Sequence, residues 1–313
     1  MPIHTIVGAG AVGTGTAIEL ADAGHEVRLI TRSGGGPEHP HIERVAADAS
    51  DASRLTELAA GAHALYNCAN PPYHQWATGW PPLSASFLSA AEATHARLVT
   101  MSNLYGFARG TNPMRATDEL APFTRKGTIR STMWHDAQRA HQEGRVRCTE
   151  ARASDYVGPG LGETSHLGDR MVPRLLAGKR VSLIGPADVI HSWTYIGDVC
   201  RTLATLGTDD RALGRAWHVP TLPPRTAAAM IDAMAKQAGV SVPPISRIPR
   251  AALTIGGIFS PVIRELREVA YQFDEPFVID ATDTAETFAL SPTPLDVQIR
   301  ETLRSYRNSA VAA

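Results

Sequence analysis

Ile3-His4-Thr5-Ile6-Val7-Gly8-Ala9-Gly10-Ala11-Val12-Gly13 is the stretch whose reading decides the fold. A short apolar run enters a glycine turn, and from Gly13 to Ala23 the residues take helical spacing, with Ile18 and Leu20 among small side chains. Each glycine has a separate task in such a turn. Gly8 permits the tight bend, Gly10 lets backbone approach a pyrophosphate, and Gly13 lets helix and strand pack closely. An anion would then rest on the free N–H groups at the helix start, so Ala11 and Val12 join the glycines as candidate cofactor residues. A strand–turn–helix with no ligand is the plain alternative, and the pattern of the later segments decides between them.

Those segments alternate. Val27 to Ile30 and Glu43 to Ala47 read as strands, Asp51 to Ala60 as a helix, His63 to Cys68 as a strand, Leu83 to Thr94 as a helix and Arg97 to Met101 as a strand. Repeated β-α units of this length predict an α/β fold: a Rossmann-type, doubly wound parallel sheet covered by helices on both faces. Gly34-Gly35-Gly36-Pro37 reads as a loop, and Pro71-Pro72 and Pro81-Pro82 bracket another. The second half is less regular, with a helix at Ser131 to Glu143, strands near Val146 to Ala153 and Arg180 to Ile184, and a helix from Asp198 to Leu206. From Pro220 to Phe277 the chain is helix-rich and punctuated by proline. The expected organisation is a dinucleotide-binding domain over 1–160, its sheet completed by parts of 180–220, and a smaller, helix-rich C-terminal substrate lobe over 161–313. The segment Asn308 to Ala313 is expected to fray.

Composition narrows the class. A chain of 313 residues with 43% hydrophobic residues supports a sizeable core, and 30 Lys and Arg against 31 Asp and Glu give no field that attracts nucleic acid or an anionic membrane. Cys68, Cys148 and Cys200 are far apart in or beside apolar segments, as buried reduced thiols would be, and no His/Cys cluster has zinc-ligand spacing. The N-terminus has no basic region followed by an apolar stretch, and the longest membrane candidate, Ala251 to Ile263, is short and contains Gly256, Gly257 and Pro261. The expectation is a soluble, cytoplasmic protein, a monomer or homodimer, with a small-molecule substrate and no metal.

The end of the second strand selects the nucleotide. Chains that bind NAD tend to place a carboxylate there for the ribose hydroxyls. This one has Leu29-Ile30-Thr31-Arg32-Ser33. Arg32 is suited to pairing with a 2′-phosphate, with Thr31 or Ser33 adding a hydrogen bond, so the expected cofactor is NADP(H). Asp48, beyond the third strand, is placed to meet the adenine, and a helix cap explains it nearly as well.

The opening turn and Arg32 also resemble a ketopantoate-reductase-like dehydrogenase, but later segments point elsewhere. Arg152-Ala153-Ser154-Asp155-Tyr156-Val157-Gly158-Pro159-Gly160 resembles the Arg-Pro-x-x-x-x-Gly-Pro-Gly segment of extended short-chain dehydrogenases, the epimerase/dehydratase group. Thr194-Tyr195-Ile196-Gly197-Asp198-Val199 is similar to that group's segment in which an Asp begins a helix. Ser102-Asn103-Leu104-Tyr105-Gly106 resembles its Ser-Ser-x-x-x-Tyr-Gly strand end, and Trp217-His218-Val219 falls where it has Tyr-Asn-Val. The matches keep their order over residues 3 to 220. This resemblance implies that Ser154, Tyr156 and Val157 lie near the nicotinamide, and that Asn67, Ala69 and Asn70 line the ribose.

The same resemblance exposes a gap. In the family a Tyr-x-x-x-Lys pair supplies the proton donor and lowers its pKa. Here that place reads Lys126-Gly127-Thr128-Ile129-Arg130, and no tyrosine lies between Tyr105 and Tyr156. Arg130 suits ribose or phosphate but does not release a proton near neutrality. Lys126 serves as a donor only if burial or a neighbouring cation lowers its pKa. Tyr105, at a strand end, and Tyr73, on the loop after the fourth strand, are the other donor candidates, with Ser102 to polarise a carbonyl. A phenol beside the substrate's own ketone is a further route. Trp76, Trp80, Trp134, Phe259 and Phe273 are expected to help form a broad apolar cleft for an aromatic ligand.

Taken with the missing tyrosine, the chain resembles tyrosine-less ketoreductases that act on angucyclinone polyketides. The implied activity is NADPH-dependent reduction of a ketone on an aromatic, polyketide-like molecule. The rivals are a sugar-nucleotide epimerase or dehydratase and a non-catalytic NADP(H)-binding regulator.

Overall fold

Apolar, β-branched runs at the start of the chain become the centre of a seven-stranded sheet in the computed structural model, which describes residues 2–162 and 165–311. The strands are β1 (Ile3–Val7), β2 (Glu26–Thr31), β3 (Ile42–Ala46), β4 (Ala62–Asn67), β5 (Arg97–Ser102), β6 (Cys148–Arg152) and β7 (Ala216–His218). Their order is β7-β6-β5-β4-β1-β2-β3, with every neighbouring pair parallel. A parallel sheet must be covered on both faces, which is why the middle strands run without a polar side. Ile6, Leu65, Tyr66 and Val99 are all fully buried.

The helices divide between the faces. On one side α2 (Ala52–Ala59), α3 (Trp76–Thr94) and α4 (Arg125–Gln142) bury Leu55, Trp76, Trp80, Phe87 and Trp134 against Leu65 and Leu98. On the other, α1 (Ala11–Asp22) and α5 (Ile196–Thr208) bury Ala17, Leu20, Val199, Leu203 and Leu206 against Ile6, Leu29 and Val99. A third core gathers Leu167, Val181, Trp193, Met230 and Leu303 beneath the C-terminal helices Ala227–Ala238 and Leu295–Val311. Strand order turns back between β1 and β4, so a crevice opens at the carboxyl ends of these strands, where ligands of doubly wound sheets bind.

Several expected boundaries move. The loop expected between Pro71-Pro72 and Pro81-Pro82 is mostly helix: a 3₁₀ turn at Tyr73–Gln75 leads straight into α3, which contains both Pro81 and Pro82. Each proline forfeits one helical hydrogen bond, but Trp76, Trp80 and Leu83 lie along the buried face of this segment and their burial outweighs that loss. α4 starts at Arg125, well before Ser131. Thr124 caps it, its hydroxyl accepting from the Gly127 N–H at 3.0 Å. Lys126, Gly127 and Arg130 are buried in its first turns, so polar residues hide the apolar period that would have announced the helix. The sixth strand is also shorter than Val146 to Ala153. At the chain end Leu295–Val311 is helical through most of the segment expected to fray, and 312–313 fall outside the described residues. Among the described residues no helix is long and apolar enough to cross a membrane.

A very close contact in the frame is between α1 and the turn before it. A Cβ on Gly13 would lie 1.9 Å from the Gly8 carbonyl oxygen and 3.2 Å from the Cys68 Cβ. Gly13→Ala must push α1 off β1. We expect it to cost at least the roughly 1–3 kcal/mol of an overpacked core. The midpoint of urea unfolding reads this directly, and an unchanged midpoint would contradict the packing described.

Candidate active site

The crevice consists of two connected cavities that share Gly10, Cys68, Ala69 and Asn70. The wider, of about 870 Å³, runs from the glycine turn past Thr31, Arg32, Ser33 and Asp48. The narrower, of about 310 Å³, extends over β5 and β6 toward the C-terminal lobe.

The glycine turn is built to receive an anion. Gly8 has φ of +103°, donates its N–H to the Ile30 carbonyl at 2.9 Å, and sits so near β4 that a Cβ would meet the Cys68 carbonyl oxygen at 2.7 Å. Gly10 is the N-cap of α1, and a Cβ there would meet nothing within 4 Å. No side chain caps this helix and its first turn holds no acid. Ala11 and Val12, in the first turn of this uncapped helix, line the narrower cavity, where a dinucleotide pyrophosphate needs free amides.

At the far end of the wide cavity Arg32 is exposed beside Thr31 and Ser33. The Thr31 hydroxyl donates to the Gly35 carbonyl at 3.1 Å, and the Ser33 hydroxyl accepts from the Gly35 N–H at 3.4 Å. Asp48 accepts from the N–H and hydroxyl of Ser50 at 2.9 and 2.8 Å, and these bonds hold its carboxyl below the usual carboxylate range. The cap of α2 is Asp51, which accepts from the Arg54 N–H at 3.0 Å, so Asp48 organises the turn before the helix and is not its cap.

In the narrower cavity the hydroxyls of Tyr73 and Tyr105 meet at 2.9 Å. Burial pushes both phenols above the ordinary tyrosine value, with the nearby Asp155 carboxylate adding to the effect, so both remain protonated near neutrality. Ser102 lies at the end of β5 on the same wall, with Ser154 and Tyr156 opposite from the segment after β6. Arg130 reaches this cavity from α4. Its guanidinium packs over the rings of Trp80 at 4.2 Å and Trp76 at 4.9 Å, donates to the Met101 carbonyl at 3.3 Å, and leaves Nε without a protein partner.

Lys126 behaves differently. It is 2% exposed and its ammonium pairs with Glu265 and, at 2.7 Å, with Glu268. Glu268 also accepts the Lys126 backbone N–H at 2.8 Å, so a carboxylate sits on the positive end of α4. The residue that aligns with the expected tyrosine ties α4 to the helix Pro261–Val269, and it does not line either cavity.

Two other expected ligand residues turn away. Asn67 is buried between β4, α3 and α4, beside Ser84, Phe87 and Met133, while the next residue, Cys68, faces the crevice. Val157 packs in the lobe core with Tyr195 and Ile196. The aromatic set also divides. Trp76 lines the cavity; Trp80 and Trp134 are core, Phe273 stacks on His166 at 4.0 Å, and Phe259 is 83% exposed. The cavity's other aromatic faces are Tyr73, Tyr105, Tyr156 and Phe277.

Sequence reasoning missed Asp155 and His191. Asp155 lines the cavity and its carboxylate lies 2.9 Å from His191 Nε2. Asp155 stands inside the segment Arg152 to Gly160, so position could have drawn attention to it. His191 sits on the two-residue strand Ile190–His191 in an irregular stretch and carries no local signal.

The Lys126 clamp is testable. Lys126→Met leaves two partly buried carboxylates facing each other, and we expect a loss of about 3–5 kcal/mol in unfolding free energy. Thermal and urea unfolding check it. Native stability together with abolished turnover would instead assign Lys126 to the chemistry.

Comparison with known proteins agrees with this frame. The model of the NAD dependent epimerase/dehydratase family matches residues 5–219. A search of the curated proteins found no significant match. Solved structures with the same fold include an epimerase from Methanothermobacter thermautotrophicus (TM-score 0.82, 16% identity, 99% of this chain and 94% of that one). A UDP-glucose 4-epimerase from Thermotoga maritima, solved with UDP-glucose, gives 0.81 at 14% identity over 99% and 100%. A dTDP-glucose 4,6-dehydratase from Bacillus anthracis, solved with NAD, gives 0.78 at 16% identity over 98% and 97%. With more than half its length matched by the family model and a glycine turn open to a dinucleotide, this chain belongs to the NAD dependent epimerase/dehydratase family.

Proposed function

We propose that the protein reduces a ketone on an aromatic, polyketide-like small molecule, using NADPH. The observation that carries this reading is the buried, hydrogen-bonded pair of phenols in the narrower cavity. Tyr73 and Tyr105 are buried, hydrogen-bonded to each other, and raised above the ordinary phenol value. A reaction that begins by oxidising an alcohol needs a base for the hydroxyl proton, and a phenol serves only when its pKa is lowered. A reaction that reduces a carbonyl needs hydrogen-bond donors at the oxygen that becomes negative, and these two phenols are donors that keep their own protons. Family membership and the sugar-nucleotide neighbours favour an epimerase or dehydratase as the second reading; the lack of Tyr-x-x-x-Lys and the raised phenols weigh against it.

Reduced nicotinamide supplies the hydride in such chemistry. The chain's own residues bind and orient. The amides of Ala11 and Val12 receive the pyrophosphate, Ala69 and Asn70 line the passage between the two cavities, and Ser154 and Tyr156 wall the inner end. Ser102, Tyr73 and Tyr105 direct hydroxyls at the place where the carbonyl oxygen becomes negative, which stabilises that charge most when water is excluded. Arg130, fixed between two indoles and a carbonyl, adds a positive field that does not titrate. A phenol next to the ketone on the substrate would supply a proton without any protein donor.

Trp76, Phe277 and the tyrosines give the cavity flat faces suited to an aromatic substrate. The choice of NADPH rests on Arg32, exposed at the adenosine end where no carboxylate follows β2. Arg32→Glu should weaken NADPH binding at least tenfold and leave NADH nearly unaffected; equal losses would remove Arg32 from a phosphate site. Steady-state NADPH oxidation should appear with aromatic ketones and not with UDP- or dTDP-sugars. Turnover of the sugar nucleotides alone would favour the second reading, and tight NADPH binding without any oxidation would favour a regulator.

A further inference from the structure

Behind the narrower cavity lies a histidine whose two nitrogens both face acceptors. His191 Nδ1 is 3.2 Å from the Gln272 carbonyl oxygen, and Nε2 is 2.9 Å from the Asp155 carboxylate and 3.3 Å from the Ser154 hydroxyl. The ring is 2% exposed and held among Trp193, Phe273 and Phe277, at centroid distances of 4.4, 5.4 and 5.2 Å. A carbonyl has no proton to give, so Nδ1 carries one. A neutral imidazole would then present a lone pair to a carboxylate at 2.9 Å, which is repulsive. The geometry is satisfied only if a second proton lies between Nε2 and Asp155. We place that proton on Nε2, which then donates to the Asp155 carboxylate at 2.9 Å.

From this arrangement we infer that Asp155 and His191 form the proton store of the cavity and deliver its proton to the substrate oxygen. The inference rests on the reductase reading above. Asp155 and Ser154 both line the cavity, so the carboxylate stands between the hidden histidine and the reacting space. The titratable groups facing the pair are Tyr73, Tyr105 and Tyr271 on the Asp155 side, with His166 and Arg170 beyond. The three phenols are all raised, chiefly by burial, and His166 is lowered to about 4, again chiefly by burial. None of these therefore competes for the store's role near neutrality: the phenols keep their protons and His166 has no extra one.

Hydride adds to the carbonyl carbon as the π pair moves onto oxygen. The O–H bond of the product forms as the Nε2–H bond of His191 breaks, the proton passing through the Asp155 carboxylate. Asp155 ends as it began, His191 ends neutral, and one proton taken up from bulk solvent restores it, so the reduction consumes one proton overall.

Two measurements on the full chain test this. In ¹⁵N-labelled protein at pH 7, long-range ¹H–¹⁵N correlations should give His191 the pattern of a ring protonated on both nitrogens. In Asp155→Asn the amide can donate to Nε2, so the ring should become neutral with its proton on Nδ1. A neutral His191 in the wild-type protein overturns the store. In the second measurement, Asp155→Asn should lower ketone turnover about 100-fold, the usual weight of a positioned acid. Cofactor affinity and unfolding midpoint should be retained; unchanged turnover overturns the delivery. A wild-type protein that transfers no hydride to any ketone overturns the reductase reading, and the histidine spectrum still decides separately whether the pair holds its proton.

Discussion

Everything in the crevice depends on how closely α1 can seat against β1. Gly13 approaches the Gly8 carbonyl to a distance that excludes any side chain, and Gly8 in turn has no room for a Cβ against the end of β4. This three-way contact fixes the start of α1 over the point where strand order turns back. The uncapped amides of that helix then face the narrower cavity, beside residues that border both cavities. A helix seated even one side chain farther out would close the passage between them or move the anion site off the helix axis. The dinucleotide site is thus a consequence of strand–helix packing, and its specificity is added by side chains at either end.

At the inner end, the chain keeps the family's architecture and reassigns its residues. α4 still delivers two cations to the region where the family has tyrosine and lysine. One, Lys126, is neutralised by Glu265 and Glu268 and fastens α4 to the C-terminal lobe. The other, Arg130, is clamped by Trp76, Trp80 and the Met101 carbonyl, and burial lowers its pKa. In the reductase reading proposed above, hydroxyls and protons come from other elements: Tyr73 from the turn before α3, Tyr105 after β5, Asp155 after β6, and His191 from the lobe. On that reading proton chemistry lies in a ring of loops, and α4 serves as a support.

The sequence carried the frame well because its signals are local. A glycine turn between a strand and a helix, and alternating apolar runs, need no tertiary knowledge, and most strands fell within a residue or two of their expected ends. The failures came where long-range packing decided. Pro81 and Pro82 signalled a loop, yet Trp76 and Trp80 fold that stretch into α3. Lys126 looked like a stand-in donor because motif position is visible in sequence, whereas its two glutamates, some 140 residues away, are not. Asn67 and Val157 stand next to cavity-lining residues but turn into the core, a difference of facing that motif position does not reveal. Asp155–His191 was invisible for the same reason as Lys126–Glu268: the partners meet only in the fold.

Hydride transfer to carbon in a cavity without Tyr-x-x-x-Lys is the central claim, and labelled cofactor tests it most directly. NADPH deuterated at C4 on one face, and in a parallel reaction on the other, would be incubated with aromatic ketones in a single turnover, and the product characterised by mass and NMR. The account predicts one deuterium on the new carbinol carbon, from one face of the nicotinamide only. Cofactor oxidised with no deuterium in the product, or sugar nucleotides processed with the label returned, would contradict it.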